Sequence, residues 1–185
     1  MKIQNYQASI TAPVSPREAF EKINRLPAWW GKDFTGRTEK LDDVFTIRFG
    51  ETWVTFKVVD SILDEKMEWE IIDCHLPWLA DQTEWKNTNL IWKLSAKAEA
   101  TQIDFTHVGL IPEVECYDVC VNGWDFYIKE SLFKLLSGGQ GLPNGRGRCV
   151  ESQTTLPVTA CAPPAHPCSQ AWSSDRCGRH ARFPV

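Results

Sequence analysis

No stretch of this sequence approaches the roughly 20 consecutive apolar residues that a membrane-spanning helix needs, so no helical span is expected. The first residues, Met1 to Gln7, include a lysine but no apolar core of the kind a secretory signal carries, and the chain reads as cytoplasmic. Positive charge is short in the body: residues 1–141 hold 15 Lys and Arg against 22 Asp and Glu, net −7. Such an acidic body has no electrostatic footprint for nucleic acid or an anionic membrane, and neither is expected as a partner. A phosphate-cradling glycine loop is missing too, because Gly138-Gly139-Gln140-Gly141 follows a helical stretch, where glycines serve as a C-cap. No nucleophile and base stand together at motif spacing; Glu84, Asp104 and Asp118 are the carboxylates available as acid or base. Asp104 alternates out of phase with its apolar neighbours and is expected in solvent.

Of seven cysteines, only Cys74, Cys116 and Cys120 fall in the patterned part of the chain, and they read as reduced, buried thiols. Cys116 and Cys120 with Cys74, His75 or His107 form a conceivable zinc set, but the spacing lacks the tighter Cys-x-x-Cys pattern, and small buried thiols explain them better. Neither a metal nor a cofactor is expected.

What is present is a change of period. Ile3, Tyr6, Ala8 and Ile10 alternate weakly as a first strand. Ser15 is an N-cap, Pro16 takes the first helical position and Glu18 sits three residues after the cap, which predicts a helix with Phe20, Ile23 and Leu26 on one face, stopped by Pro27. Ala28-Trp29-Trp30-Gly31 makes a second short turn. From 34 to 109 the period is two: Phe45, Ile47, Phe49; Val54, Phe56, Val58; Met67, Trp69, Ile71; Leu90, Trp92, Leu94; and Ile103, Phe105, His107 define inner faces, with a polar edge strand at 34–41. Short turns between these runs imply antiparallel meanders, since parallel strands need crossover helices.

The period then returns to 3.6. Between Cys116 and Ser137, Tyr117, Val121, Trp124, Ile128, Leu132 and Leu135 form one apolar stripe on a helix of 22 residues, roughly 33 Å long. The expected fold is α+β: a curved antiparallel sheet of about six to seven strands wrapped on a long C-terminal helix, with two short helices after strand 1. Such a sheet and helix can leave a cavity between them.

Several motifs resemble those of the START-like (SRPBCC) helix-grip superfamily, and most nearly its Hsp90-ATPase-activator-homologue branch. They are Leu26-Pro27 with Trp29-Trp30, Thr83-Glu84-Trp85, Asn87-Thr88, Ile91-Trp92, Thr106-His107 with Gly109-Leu110, Cys116, Cys120, Gly123-Trp124, Ser131-Leu132, and Gly139 to Pro143. The resemblance covers residues 1–143. It implies an internal apolar pocket and functions from small-molecule or lipid binding to chaperone regulation, with no catalytic residue to carry over. A small hydrophobic molecule is the expected partner and a chaperone the alternative. Against the chaperone stands the lack of room for an additional amino-terminal partner-binding domain. A cyclase- or hydrolase-like enzyme using His107 with a carboxylate is a third reading.

The expected pocket residues are Trp69, Trp92, Phe105, His107, Trp124 and Ile128. His107 is either a core histidine with satisfied nitrogens or a polar contact for a ligand. Trp53, Trp69, Trp85 and Trp92 either fill the core or line the cavity, with Trp69 and Trp92 on inward faces of successive strands. After Pro143 the periodicity stops and lysine is absent, while Arg, Pro, Ser, Cys and Ala dominate. Residues 144–185, net +3, read as a disordered or atypical tail, and Cys149, Cys161, Cys168 and Cys177 match no metal or haem pattern.

Overall fold

The computed structural model describes residues 4–145. The expectations for the tail beyond Gly145, its four cysteines included, lie outside the described residues. Strand β1 (Tyr6–Ala12) leads into α1 (Pro16–Asn24), which starts as its sequence dictates: the Ser15 hydroxyl accepts the Glu18 backbone N–H at 3.2 Å, with Pro16 in the first turn. Its end differs from the expectation. The helix stops at Asn24, where Arg25 leaves helical geometry at ψ 58°, and Pro27 sits inside a 3₁₀ turn (Leu26–Ala28). A proline in a first turn removes an N–H that would have no partner, so Pro27 builds this turn rather than ending α1. Ala19, Phe20, Ile23 and Leu26 bury the common face.

Seven strands form one antiparallel sheet in the order β1-β7-β6-β5-β4-β3-β2, with β2 (Asp33–Gly36), β3 (Val44–Phe49), β4 (Thr52–Ile62), β5 (Lys66–His75), β6 (Asn89–Lys97) and β7 (Ala100–Val108). The first strand thus lies beside the last, pairing Tyr6 with His107, Ala8 with Phe105 and Ile10 with Ile103. The edge strand is four residues long rather than the expected 34–41. The Asp43 carboxylate accepts the backbone N–H groups of Glu39 and Lys40 at 2.9 Å each, drawing those residues into a turn instead of a ladder. The β4–β5 pairing carries register shifts between Thr55 and Phe56 and between Val58 and Asp60. Bulges of this kind bend a strand pair, and the sheet curves around its helix. Inner-face residues alternate as read: Val54, Phe56 and Val58 on β4, Met67, Trp69 and Ile71 on β5, and Leu90, Trp92 and Leu94 on β6 are all buried. Each large apolar side chain so buried contributes roughly 1.5–3 kcal/mol.

The C-terminal helix spans three segments: α2 (Tyr117–Asp125), a π-helical stretch (Phe126–Leu132) and α3 (Phe133–Leu136). The π stretch corrects the stripe read from the sequence. Cys116, Cys120, Trp124, Ile128, Leu132 and Leu136 are the buried set, at steps of four throughout, whereas Tyr117, Val121 and Leu135 are only half-buried. In an ordinary α-helix a constant step of four drifts off one face, because the turn holds 3.6 residues. The wider i→i+5 turn of a π-helix absorbs that drift and keeps all six residues on the sheet. The helix ends at Gly138, φ 84°, whose N–H donates to Leu135 O while Gly139 N–H donates to Lys134 O at 2.9 Å, a Schellman cap. Lys22 of α1 adds its ammonium to the Leu135 carbonyl at 3.1 Å. No helix among the described residues is long and apolar enough to cross a membrane.

Candidate functional site

The six expected pocket residues converge. Trp69, Trp92, Phe105, His107, Trp124 and Ile128 are all buried between the concave sheet face and the C-terminal helix. Ring centroids run continuously from Trp69 to Trp92 (5.9 Å), Phe105 (4.5 Å) and Trp124 (4.7 Å), with His107 edge-on to Trp124 at 6.0 Å. The tryptophans of the short turn after α1 join the cluster: Trp30 stands 4.9 Å from Trp124, and Trp29 meets Trp92 edge-on at 5.8 Å. Trp53 lies on the convex face instead, stacked on His75 at 6.2 Å with the Arg48 guanidinium 5.8 Å away. Its neighbour Val54 points inward, and alternation along a strand sends Trp53 the other way. Asp104 is also on that face, accepting from Ser9 Oγ at 2.7 Å.

His107 is the polar centre of the cluster, and its partners fix its tautomer. The Trp124 indole can only donate, and it does so to Nδ1 at 3.1 Å. The proton of the neutral ring therefore sits on Nε2, which donates to Thr88 Oγ1 at 3.0 Å; the Thr88 hydroxyl in turn donates to Trp85 O at 2.6 Å. This relay of helix, strand and loop leaves no vacancy on the imidazole. Burial alone lowers the His107 pKa to about 3, so the ring is neutral at ordinary pH. Thr88 reaches the ring because Gly109 leaves room: a Cβ there would stand 2.6 Å from Thr88 Cγ2, and φ is +98°.

The loop between β5 and β6 reaches the start of the C-terminal helix. Its Glu84 carboxylate accepts the backbone N–H groups of Glu115 at 2.6 Å and Cys116 at 3.0 Å, capping the C-terminal helix from outside it. Trp85 lies parallel to Trp124 at 6.1 Å and donates its indole N–H to Cys116 Sγ at 3.1 Å. Cys116 and Cys120 are mutual neighbours, and the Cys116 contact followed by burial pushes the Cys120 thiol well up. Cys74 lies apart from them, against Gln82 O at 3.9 Å. At the other end Tyr6 gives its hydroxyl to Asp125 at 2.5 Å, tying β1 to the helix; burial, then this carboxylate, raises its pKa and keeps it a donor. Ser131 donates to Trp29 O at 2.6 Å and accepts from Leu142 N at 2.7 Å, locking the π stretch to the tryptophan pair.

A single helix gripped by a curved seven-stranded antiparallel sheet defines the helix-grip fold. No family model and no curated protein matches the sequence. Among solved structures, the fold is shared with the Aha1 dimer from Colwellia psychrerythraea, at 20% identity and a TM-score of 0.63, covering 75% of this chain and 100% of that one. Protein MLL2253 from Mesorhizobium loti is similar at 12% identity and a TM-score of 0.56, over 71% of this chain and 96% of the other. DynU16, a protein of the dynemicin biosynthetic locus, is similar at 15% identity and a TM-score of 0.52, over 70% of this chain and 46% of that chain.

Proposed function

We propose that the protein binds a small apolar molecule between the concave sheet face and the C-terminal helix, without catalysing a reaction on it. The observation that carries this reading is the wall of touching indoles and rings, Trp69, Trp92, Phe105 and Trp124, gathered under one helix rather than spread through several layers. Apolar walls with few polar groups are the usual make-up of small-molecule sites. The helix that closes the site is π-helical beside it, a form concentrated at functional positions. His107 serves here as a fixed strut. Acid–base work would need a free nitrogen and a pKa near the working pH, and His107 has both nitrogens engaged and a pKa near 3. The cyclase- or hydrolase-like alternative therefore has less support. The proposed setting is the cytoplasm, in keeping with the free, buried thiols of Cys74, Cys116 and Cys120.

A thermal-shift screen of apolar aromatic and aliphatic probes tests the reading. Saturable rises in melting temperature with concentration are expected, as linkage requires for any ligand of the native state. A flat response across the set, together with unchanged tryptophan fluorescence, refutes it. Similarity to the Aha1 dimer supports a second reading, a chaperone-linked interaction module. Co-elution with an Hsp90-type chaperone and a change in its ATPase rate, in the absence of small-molecule stabilisation, would favour that one.

A further inference from the structure

The buried tryptophans divide into two kinds. Trp29 donates its indole N–H to Ile23 O at 3.0 Å, Trp85 to Cys116 Sγ at 3.1 Å and Trp124 to His107 Nδ1 at 3.1 Å. Trp69 and Trp92 are fully buried, yet their Nε1 atoms meet no acceptor among the described residues. A buried donor without an acceptor forfeits its hydration for nothing, and native proteins seldom tolerate one, let alone two side by side. These two lie on adjacent strands with ring centroids 5.9 Å apart. A third unpartnered polar atom belongs to the same corner: Asn24 Oδ1, buried at the end of α1. The amide group of Asn24 is already engaged, donating to Phe20 O at 2.9 Å and Met67 Sδ at 3.0 Å, and Met67 is the cross-strand partner of Trp92.

Two donors and one acceptor, set in otherwise apolar walls, are complementary to one functional group. A hydroxyl oxygen accepts from both indoles while its proton goes to Asn24 Oδ1; a carbonyl or ether satisfies the indoles alone. We propose that the ligand is a flat apolar molecule carrying an alcohol or phenol hydroxyl, recognised by Trp69 Nε1, Trp92 Nε1 and Asn24 Oδ1. This rests on the ligand-binding reading above and specifies its chemistry. An open cleft of about 420 Å³ lies beside Arg25, Pro27 and Ala28; Arg25 follows Asn24 directly, and Ala28 precedes Trp29, whose ring covers Trp92.

Three probes of one skeleton separate the roles: naphthalene, 2-methoxynaphthalene and 2-naphthol, titrated into the full chain while the indole N–H resonances are followed by NMR. Replacement by phenylalanine at position 69 and at 92 assigns the two signals. The expected order is naphthalene weakest, the ether intermediate and 2-naphthol tightest, about tenfold for each hydrogen-bonding role gained. Only the oxygenated probes should move the Trp69 and Trp92 indole protons downfield. Asn24→Leu should remove the advantage of 2-naphthol over the ether and leave naphthalene binding intact. Equal affinity for all three probes overturns this inference while leaving apolar ligand binding in place. Absence of binding by all three overturns the ligand-binding reading and this inference with it. Cross-relaxation of both indole protons with a long-lived internal water, undisturbed by 2-naphthol, also overturns it, since the donors would then serve a structural water. The resonance shifts are read on the wild-type protein, so a variant that fails to fold does not shield the proposal.

Discussion

Acidification from pH 7 to 4.5 isolates the energetic weight of His107. The ring is buried, neutral and bonded at both nitrogens, with its pKa lowered by burial from 6.5 to about 3. An unfolded chain takes up the proton near 6.5, the native one only near 3. The unfolded state therefore binds more protons throughout that window, and stability falls as pH falls through it. The contribution is full above pH 6.5, declines by about 1.36 kcal/mol per pH unit below, and levels off under pH 3 after a total of about 5 kcal/mol. Between pH 7 and 4.5 the expected loss is about 2–3 kcal/mol, a large share of a typical total of about 5–15. A protonated Nδ1 would face the Trp124 indole donor across 3.1 Å, so the charged ring cannot keep its present bonds. The assay is urea unfolding at four or five pH values for the wild type and His107→Gln, which has a polar side chain that does not titrate. The carboxylates common to both proteins cancel in the difference. Parallel loss of stability in the two proteins would refute the reasoning, whatever their absolute values.

Glu84→Ala removes the acceptor of two N–H groups at the start of the C-terminal helix and should cost about 1 kcal/mol, a melting shift of about 3 °C, with partial recovery in Glu84→Gln. Ser131→Ala strands the Trp29 carbonyl and the Leu142 N–H together; a loss of about 1–3 kcal/mol in urea unfolding is expected, and less than 0.5 would show that these bonds are replaceable. Trp124→Ala should cost about 3–5 kcal/mol. Trp124→Phe keeps most of the ring contacts but orphans His107 Nδ1, so it should fall between the wild type and Ala in urea unfolding.

The legible parts of this fold are those where one period decides one face. Alternation placed the inner residues of β4 to β7, with Phe45 and Ile47 of β3, because buried positions recur there at a period of two, while Phe49 at the end of β3 is only half-buried; the Ser15, Pro16 and Glu18 signals act entirely within one turn. The six residues expected to line a pocket were read from the same alternation plus the helix stripe, and all six are buried. The helix phase was not legible. Leu135 and Leu136 are equally apolar, as are Val121 and Cys120 to a first approximation, so composition cannot choose between the 3.6-residue stripe and the one actually buried; the choice is made by the space between Trp85, Trp30 and Trp124. Glu84 and Thr88 were missed as partners of the helix and His107 because they act across a loop, at separations of 32 and 19 residues, where local pattern carries no information.

The π stretch gives the C-terminal helix the property of a crystal rod containing a dislocation. One surplus residue is accommodated within Phe126–Leu132, while the α segments on either side remain in phase with the sheet. The register change thus lets Cys116, Cys120 and Trp124 before it, Leu132 at its end and Leu136 after it serve one and the same face.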